Sequence, residues 1–175
     1  MDVLTQRQRS LCMSRIRGKN TKPEHVIRRG LFALGFRYRL HRRDLPGCPD
    51  LVLSKYRAVI FVNGCLWHGH NCHLFSWPRT RAEFWRRKIQ GNRRRDRQAR
   101  AALRTQQWRV MTVWECALRG RLRLGDAQLF LALARWVRSN QTEAQIVGSL
   151  RAQDSNARVV LQECLRLRTR QVAPA

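Results

Sequence analysis

"YRAVIFVNGCLWHGHNCH", residues 56–73, carries two different signals in succession. The run AVIFV is apolar without alternation, so it reads as a strand buried on both faces, at the centre of a sheet. Straight after it, two cysteines and three histidines fall between Cys65 and His73. A central strand that ends in metal-ligand chemistry places a site at the end of a sheet and makes the chain an α/β protein.

Upstream, "LVLS" is a short strand, and the tight turn between it and AVIFV makes the two a hairpin. "FRYRLHR" alternates apolar and basic residues, as a half-exposed strand does. "TKPEHVIRRGLFALGF" predicts a helix: Thr21 caps it, Pro23 suits its first turn and Glu24 favours the N-terminal dipole. Val26, Ile27, Leu31 and Leu34 supply its apolar stripe, and Gly35 stops it. Residues 4–17 read as a basic helix or arm.

Downstream, residues 79–104 read as one long basic helix. Its segment "RTRAEFWRRKIQGNRRRDRQAR" has ten basic and two acidic residues. "WRVMTVWE" is another buried strand, and "DAQLFLALARWVRSN" an amphipathic helix capped by Asp126. The expected architecture is a single α/β domain, a mixed central sheet flanked by helices, in the order α-α-β-β-β-loop-α-β-α. It is assigned to residues 1–140. Residues 141–175 form a partly helical C-terminal extension of unassigned function.

The 175 residues suit one domain with a real core. Hydrophobic residues make up 43% of the chain, which excludes a disordered polyelectrolyte. No apolar run approaches the ~20 residues of a membrane span, and "MDVLTQRQRS" lacks a signal peptide's apolar core. An intracellular protein without a membrane partner is expected. The formal charge is +25, from 36 Lys+Arg against 11 Asp+Glu, so a polyanion, and nucleic acid above all, is the expected partner.

Clustered Cys and His in an intracellular chain point to metal rather than to disulfides. Cys65, His70 and Cys72 are close enough for one loop to wrap a single zinc ion, which takes four Cys/His ligands. Cys116, which ends the "VWEC" strand, is the natural fourth if it meets the loop at the sheet's edge. His68 and His73 remain, and a spare imidazole beside a metal loop is a catalytic candidate. Cys12, Cys48 and Cys164 read as ordinary buried thiols. Asp50, opening a strand in "PGCPD", can hold Mg2+ against a phosphate. That is the first half of a PD-(D/E)xK nuclease pattern; the acid and lysine of the second half are missing from "RAVIFVNGC".

"LPGCPDLVL", "YRAVIFVNGCLWHGHNC", "FWRRKIQGNRRRD" and "WRVMTVWECALRG", in this order and spacing, closely resemble the very short patch repair (Vsr) endonucleases. The resemblance runs from residue 5 to about 138. It implies a PD-(D/E)xK-like fold with a structural zinc site, and an enzyme that nicks one DNA strand 5′ to the T of a T·G mismatch left by 5-methylcytosine deamination. It implies Asp50 as the Mg2+ ligand together with the main-chain carbonyl of Val62, His68 as general base and Glu24 as supporting acid. Cys65, His70, Cys72 and Cys116 correspond to the zinc ligands. Leu66, Trp67 and Trp85 correspond to residues that wedge in beside the mismatch, with Met13 entering the minor groove opposite.

The same resemblance implies a monomer acting on double-stranded DNA in the bacterial cytoplasm, at the nucleoid when bound, with a functional link to a DNA cytosine-5 methyltransferase and repair proteins. Two positions depart from the family pattern. Leu66 stands where Phe is common, and Asn63 where a second active-site His is common. Asn can hydrogen-bond a phosphate or water but cannot titrate. The alternatives are a restriction- or defence-type nuclease on the same scaffold and a non-catalytic zinc-bearing DNA-binding module. The presence of both Asp50 and His68 argues against the second.

Overall fold

The computed structural model describes residues 5, 7, 8, 11 and 18–148. Of the arm expected over 4–17, Arg7, Gln8 and Leu11 are helical; Met13 and Cys12, like Cys164, lie outside the described residues. Five strands form one mixed sheet in the order β1 (Arg39–Leu40), β2 (Leu51–Leu53), β3 (Ala58–Asn63), β4 (Arg109–Trp114) and β5 (Glu143–Ile146). The β1/β2 and β2/β3 pairs are antiparallel; β3/β4 and β4/β5 are parallel. The helices are α1 (Lys22–Ala33), a single turn α2 (Cys65–His68), α3 (Ala82–Thr105) and α4 (Asp126–Arg138).

Central β3 explains the unbroken AVIFV run. Ala58 and Ile60 face a core shared with Ile27 and Leu31 of α1 and Leu129 and Leu133 of α4. Val59 and Phe61 face a second core with Leu103 of α3, Val52, Val110 and Trp108. Both faces of the strand are covered, so alternation has no reason to appear. Parallel neighbours need crossovers, and α3 and α4 supply them.

Helix α1 starts as its sequence requires. Thr21 and Glu24 form a reciprocal capping box, with Pro23 in the first turn. Its stripe is narrower than expected: Ile27 and Leu31 are fully buried, but Val26 and Leu34 are exposed. The strand expected over 36–42 shrinks to Arg39–Leu40, because His41 takes a left-handed backbone (φ 48°) that ends it. Asp126 does not cap α4. It is the first helical residue, behind Gly125 at the N-cap, and helps only as an acid in the first turn.

The strand β5 has no counterpart in the sequence reading. "EAQI" is too short and too mixed to announce itself, and its pairing with Val110–Val113 decides it. The sheet therefore continues beyond residue 140, the expected end of the domain, and residues 149–175 lie outside the described structure.

Helices α1 and α4 meet at a bare backbone. A Cβ on Gly30 would stand 1.9 Å from Cε1 of Phe130. Gly30→Ala gains about 1 kcal/mol of helix propensity but forces the ring aside, at about 1–3 kcal/mol for overpacking. Urea denaturation should show a net loss of stability, recovered in part when Phe130→Ala opens the space.

Candidate functional site

The parallel register of β3 and β4 builds the Cys/His cluster. It sets Asn63 level with Trp114. Cys65 and Cys116 each follow two residues later, so both emerge at the carboxyl end of the sheet, between interior strands and not at its edge. Glu115 ties the two exits together, its Oε2 accepting the Cys65 N–H at 3.2 Å. The chain then makes the turn α2, closed by Gly69 in a left-handed conformation, and returns His70 to the cluster.

One ligand atom from each of Cys65, His70, Cys72 and Cys116 lies within 4.8 Å of the others. The His70 Nδ1 is 3.7 Å from Cys65 Sγ and 3.6 Å from Cys116 Sγ. A tetrahedral cation at ordinary bond lengths spaces such ligands about 3.5 Å apart. His70 stacks on Trp114, ring centres 4.1 Å apart, which fixes the imidazole plane. The backbone N–H of Gly148 donates to Cys116 Sγ at 3.4 Å, so the segment after β5 also reaches the cluster. All four described cysteines are free thiols.

The electrostatics suit a cation. Burial, and then the neighbouring thiols, push the Cys65 thiol well above its ordinary value; burial does the same at Cys116. Burial and then Arg93 hold His70 below its ordinary value, hence neutral. Buried thiols that resist ionisation beside a neutral imidazole gain most from a metal ion, whose charge offsets that of the thiolates.

On the other side of β3, Asp50 stands just before β2, where the β2/β3 ladder has ended. Its Oδ2 accepts the Val62 N–H at 2.8 Å, the place a strand partner would have filled. A strand residue presents its N–H and C=O on the same side, so the Val62 carbonyl opens toward Asp50 as well. Burial raises the Asp50 carboxyl to about 6; the Val62 N–H, Arg28 and His68 pull it down, and Glu24 pushes it up.

His68 ends α2, and its Nδ1 lies 2.6 Å from Asp96 Oδ2 on α3. A carboxylate only accepts, so Nδ1 carries the ring proton and donates it to Asp96, and Nε2 keeps the lone pair, the arrangement of an oriented base. Two further residues of α3 pin the same turn. Asn92 donates to the Trp67 carbonyl at 2.7 Å, and Arg93 to the His68 and Gly69 carbonyls. In the sequence, "GNRRRD" carries charge and part of the family resemblance but no role for Asp96; the signal that could have marked it is the lone acid inside the arginine run.

Glu24 is buried and heavily used. Its Oε1 accepts from Thr21 N–H and Oγ, and its Oε2 from Asn20 N–H and from Arg28 at 2.5 Å. His41, which the sequence reading left in a strand, stands beside both acids. Its Nε2 is 3.6 Å from Glu24 Oε2 and its Nδ1 is 3.8 Å from Asp50 Oδ1. Trp67 and Trp85 are half-buried and packed together, ring centres 5.6 Å apart; Phe84 packs on Trp85, and Arg81 on Phe84. Leu66 is half-buried and Asn63 buried. Cys48 is half-buried, with a left-handed backbone.

A mixed α/β domain that sets a Cys/His cluster and a carboxylate–histidine pair around one strand end has the parts of a metal-assisted hydrolase. Known proteins narrow this. The family described as "DNA mismatch endonuclease Vsr" matches residues 1–74. The DNA mismatch endonuclease Vsr of Escherichia coli is 43% identical over 145 residues, covering 83% of this chain and 93% of that protein. The type II nicking enzyme V.XorIIP of Xanthomonas oryzae is 47% identical over 117 residues (67% and 86%), and V.NmeAIP of Neisseria meningitidis 42% over 120 (69% and 86%). The chain belongs to the Vsr family of DNA mismatch endonucleases. Among the described residues no helix is long and apolar enough to cross a membrane.

The raised Asp50 carboxyl has a consequence for stability. Its value in the folded state, about 6, exceeds its ordinary 3.8, so the folded chain binds this proton more tightly than the unfolded chain. The ionised group therefore costs stability at neutral pH, roughly 2–3 kcal/mol for a shift of about two units, and the cost fades as pH falls through 6 toward 4. Asp50→Asn, measured by urea denaturation without added divalent ion, should be more stable than the native chain at pH 7.5. That advantage should shrink to near zero at pH 4.

Proposed function

We propose that this chain nicks one strand of duplex DNA 5′ to the T of a T·G mismatch, such as deamination of 5-methylcytosine produces. The observation that carries the reading is the His68–Asp96 pair at the same strand end as Asp50 and Val62. The sheet is read as a PD-(D/E)xK-type scaffold in which the Val62 carbonyl and His68 take the places of the missing acid and lysine.

Asp50 and the Val62 carbonyl would hold Mg2+. The bound ion would supply Lewis-acid polarisation of the scissile phosphate and charge relief at the leaving oxygen. The residues of the chain do the rest. Asp96 holds the Nδ1 proton of His68, and Nε2 accepts a proton from the attacking water. Glu24 supports the site through the groups it fixes. Cys65, His70, Cys72 and Cys116 would hold zinc, whose mixed sulfur and nitrogen preference matches the set. That ion staples the turn carrying Leu66 and Trp67.

Leu66, Trp67 and Trp85 would enter the duplex beside the mispair, where unstacking is already cheap. Met13 would approach from the minor groove; that assignment rests on the resemblance alone. The arginine-rich face of α3 would neutralise phosphates. The enzyme would act as a monomer. The substrate ties the enzyme to a DNA cytosine-5 methyltransferase and to the repair proteins that follow a nick, in the bacterial cytoplasm.

Metal analysis of purified protein should find one zinc per chain, and Cys72→Ala should lose it together with folded stability. Active protein without zinc refutes the assignment.

The reaction itself is tested on paired duplexes. With Mg2+, the T·G duplex should be nicked and its T·A counterpart left intact. Asp50→Asn should abolish nicking while still binding the mismatch, and His68→Ala should slow nicking by ~10²-fold or more with zinc unchanged. Equal cutting of matched DNA would favour a restriction-type nuclease, and zinc loss in His68→Ala would mean that His68 and His70 have exchanged roles.

A further inference from the structure

Glu24, His41 and Asp50 each offer an atom to a space less than 4.8 Å across, the outline of a three-ligand cation site. The hydrogen bonds around it give a different answer. Arg28 Nη2 lies 2.8 Å from His41 Nε2. A guanidinium has donors only, so Nε2 must be the acceptor and the ring proton must sit on Nδ1. That is the nitrogen facing Asp50 Oδ1, at 3.8 Å. A protonated Nδ1 cannot ligate a cation. Glu24 is no freer, because both its oxygens already accept from the Asn20 and Thr21 segment and from Arg28.

Arg28 is itself held. It is buried, and besides Glu24 it bonds Asn20 Oδ1 at 2.7 Å. His41 cannot move its proton to Nε2 without setting two donors against each other, and turning the ring over would replace the acceptor of Arg28 by Cε1–H. Its left-handed backbone, a conformation few side chains adopt, brings the ring in from the end of β1. The order of control therefore runs from Glu24 to Arg28, from Arg28 to His41, and from His41 to Asp50.

We infer that His41 is a positioning residue for the Asp50 carboxylate, locked by Arg28 as the Nδ1–H tautomer, and not a cation ligand. The Val62 N–H bonds Oδ2 at 2.8 Å, while the His41 N–H faces Oδ1 across 3.8 Å, an electrostatic contact longer than a hydrogen bond, so both oxygens keep lone pairs for a divalent ion. The buried amide of Asn63 cannot titrate; among the described residues His41 faces Asp50 at 3.8 Å and His68 acts on it electrostatically, the first as positioner and the second as proposed base. The inference rests on the proposed cation role of Asp50.

The test needs no turnover. Long-range ¹H–¹⁵N correlation spectra of the full-length, zinc-loaded protein, with His41 assigned by its absence in variants, should show a protonated Nδ1 and a bare Nε2. A protonated Nε2 overturns the inference. Mn2+ affinity, read from the electron paramagnetic resonance of the free ion, gives the second arm. His41→Gly suits the positive φ and removes the ring; it should weaken Mn2+ binding by ~10-fold or more, the usual scale for an outer-shell partner. His41→Asn tolerates the same backbone, restores a donor, and should recover much of that loss. Unchanged affinity in His41→Gly, or equal losses in both variants, overturns the positioning role. Asp50→Asn is the control. If it binds Mn2+ as the native protein does, the cation role of Asp50 fails and the inference falls with it; if it loses affinity while His41→Gly does not, only the inference fails.

Discussion

The parallel pairing of β3 with β4 is the constraint on which the site depends. It fixes Asn63 opposite Trp114, and everything chemical follows within a few residues of that rung. Cys65 and Cys116 emerge together, Glu115 bridges the two exits, and Trp114 offers a flat surface to His70. A slip of one residue would turn the side chains of β3 over between the two cores and separate the cysteines. The register is strongly specified because both faces are buried, Ala58 and Ile60 on one and Val59 and Phe61 on the other.

Around this rung the two halves of the site have opposite electrical characters. The Cys/His cluster collects buried thiols and a neutral ring, groups that a cation completes. The Asp50 side is already crowded with charge: Glu24, Arg28 and Asp50 meet around the His41 ring within hydrogen-bond or ion-pair reach. Its carboxyl is raised mainly by burial, so the group spends folding stability to stand where it does. Strain of this kind at a strand end is the mark of a site kept for chemistry rather than for packing.

The helix α3 serves two purposes that its composition hides. Most of its length is a solvated arginine-rich face, with Ile89 and Leu103 as its buried contacts. One short stretch, Asn92, Arg93 and Asp96, spans a single helical turn and holds Trp67, His68 and Gly69 from behind. The turn that carries both His68 and Trp67 thus has two supports, the Cys/His cluster in front and α3 at its back.

The sequence by itself determined the kind of fold and the principal side chains. Apolar runs, capping residues and Gly/Pro breaks are local properties, so β2, β3, β4 and the three long helices were legible within a few residues. The cluster Cys65, His70 and Cys72 was legible because its spacing is short, and Cys116 because it ends a strand. Tertiary structure alone decided what depends on distant partners. The strand β5 exists because β4 offers a ladder, Val26 and Leu34 are exposed because nothing packs there, and Asp126 yields the cap to Gly125. His41 and Asp96 joined the site only once folding brought β1 and α3 to the end of β3. Hydrogen bonds between residues 13 to 28 positions apart leave no periodic trace in a sequence, which is why the Cys/His cluster could be read from the chain and the partners of His68 and His41 could not.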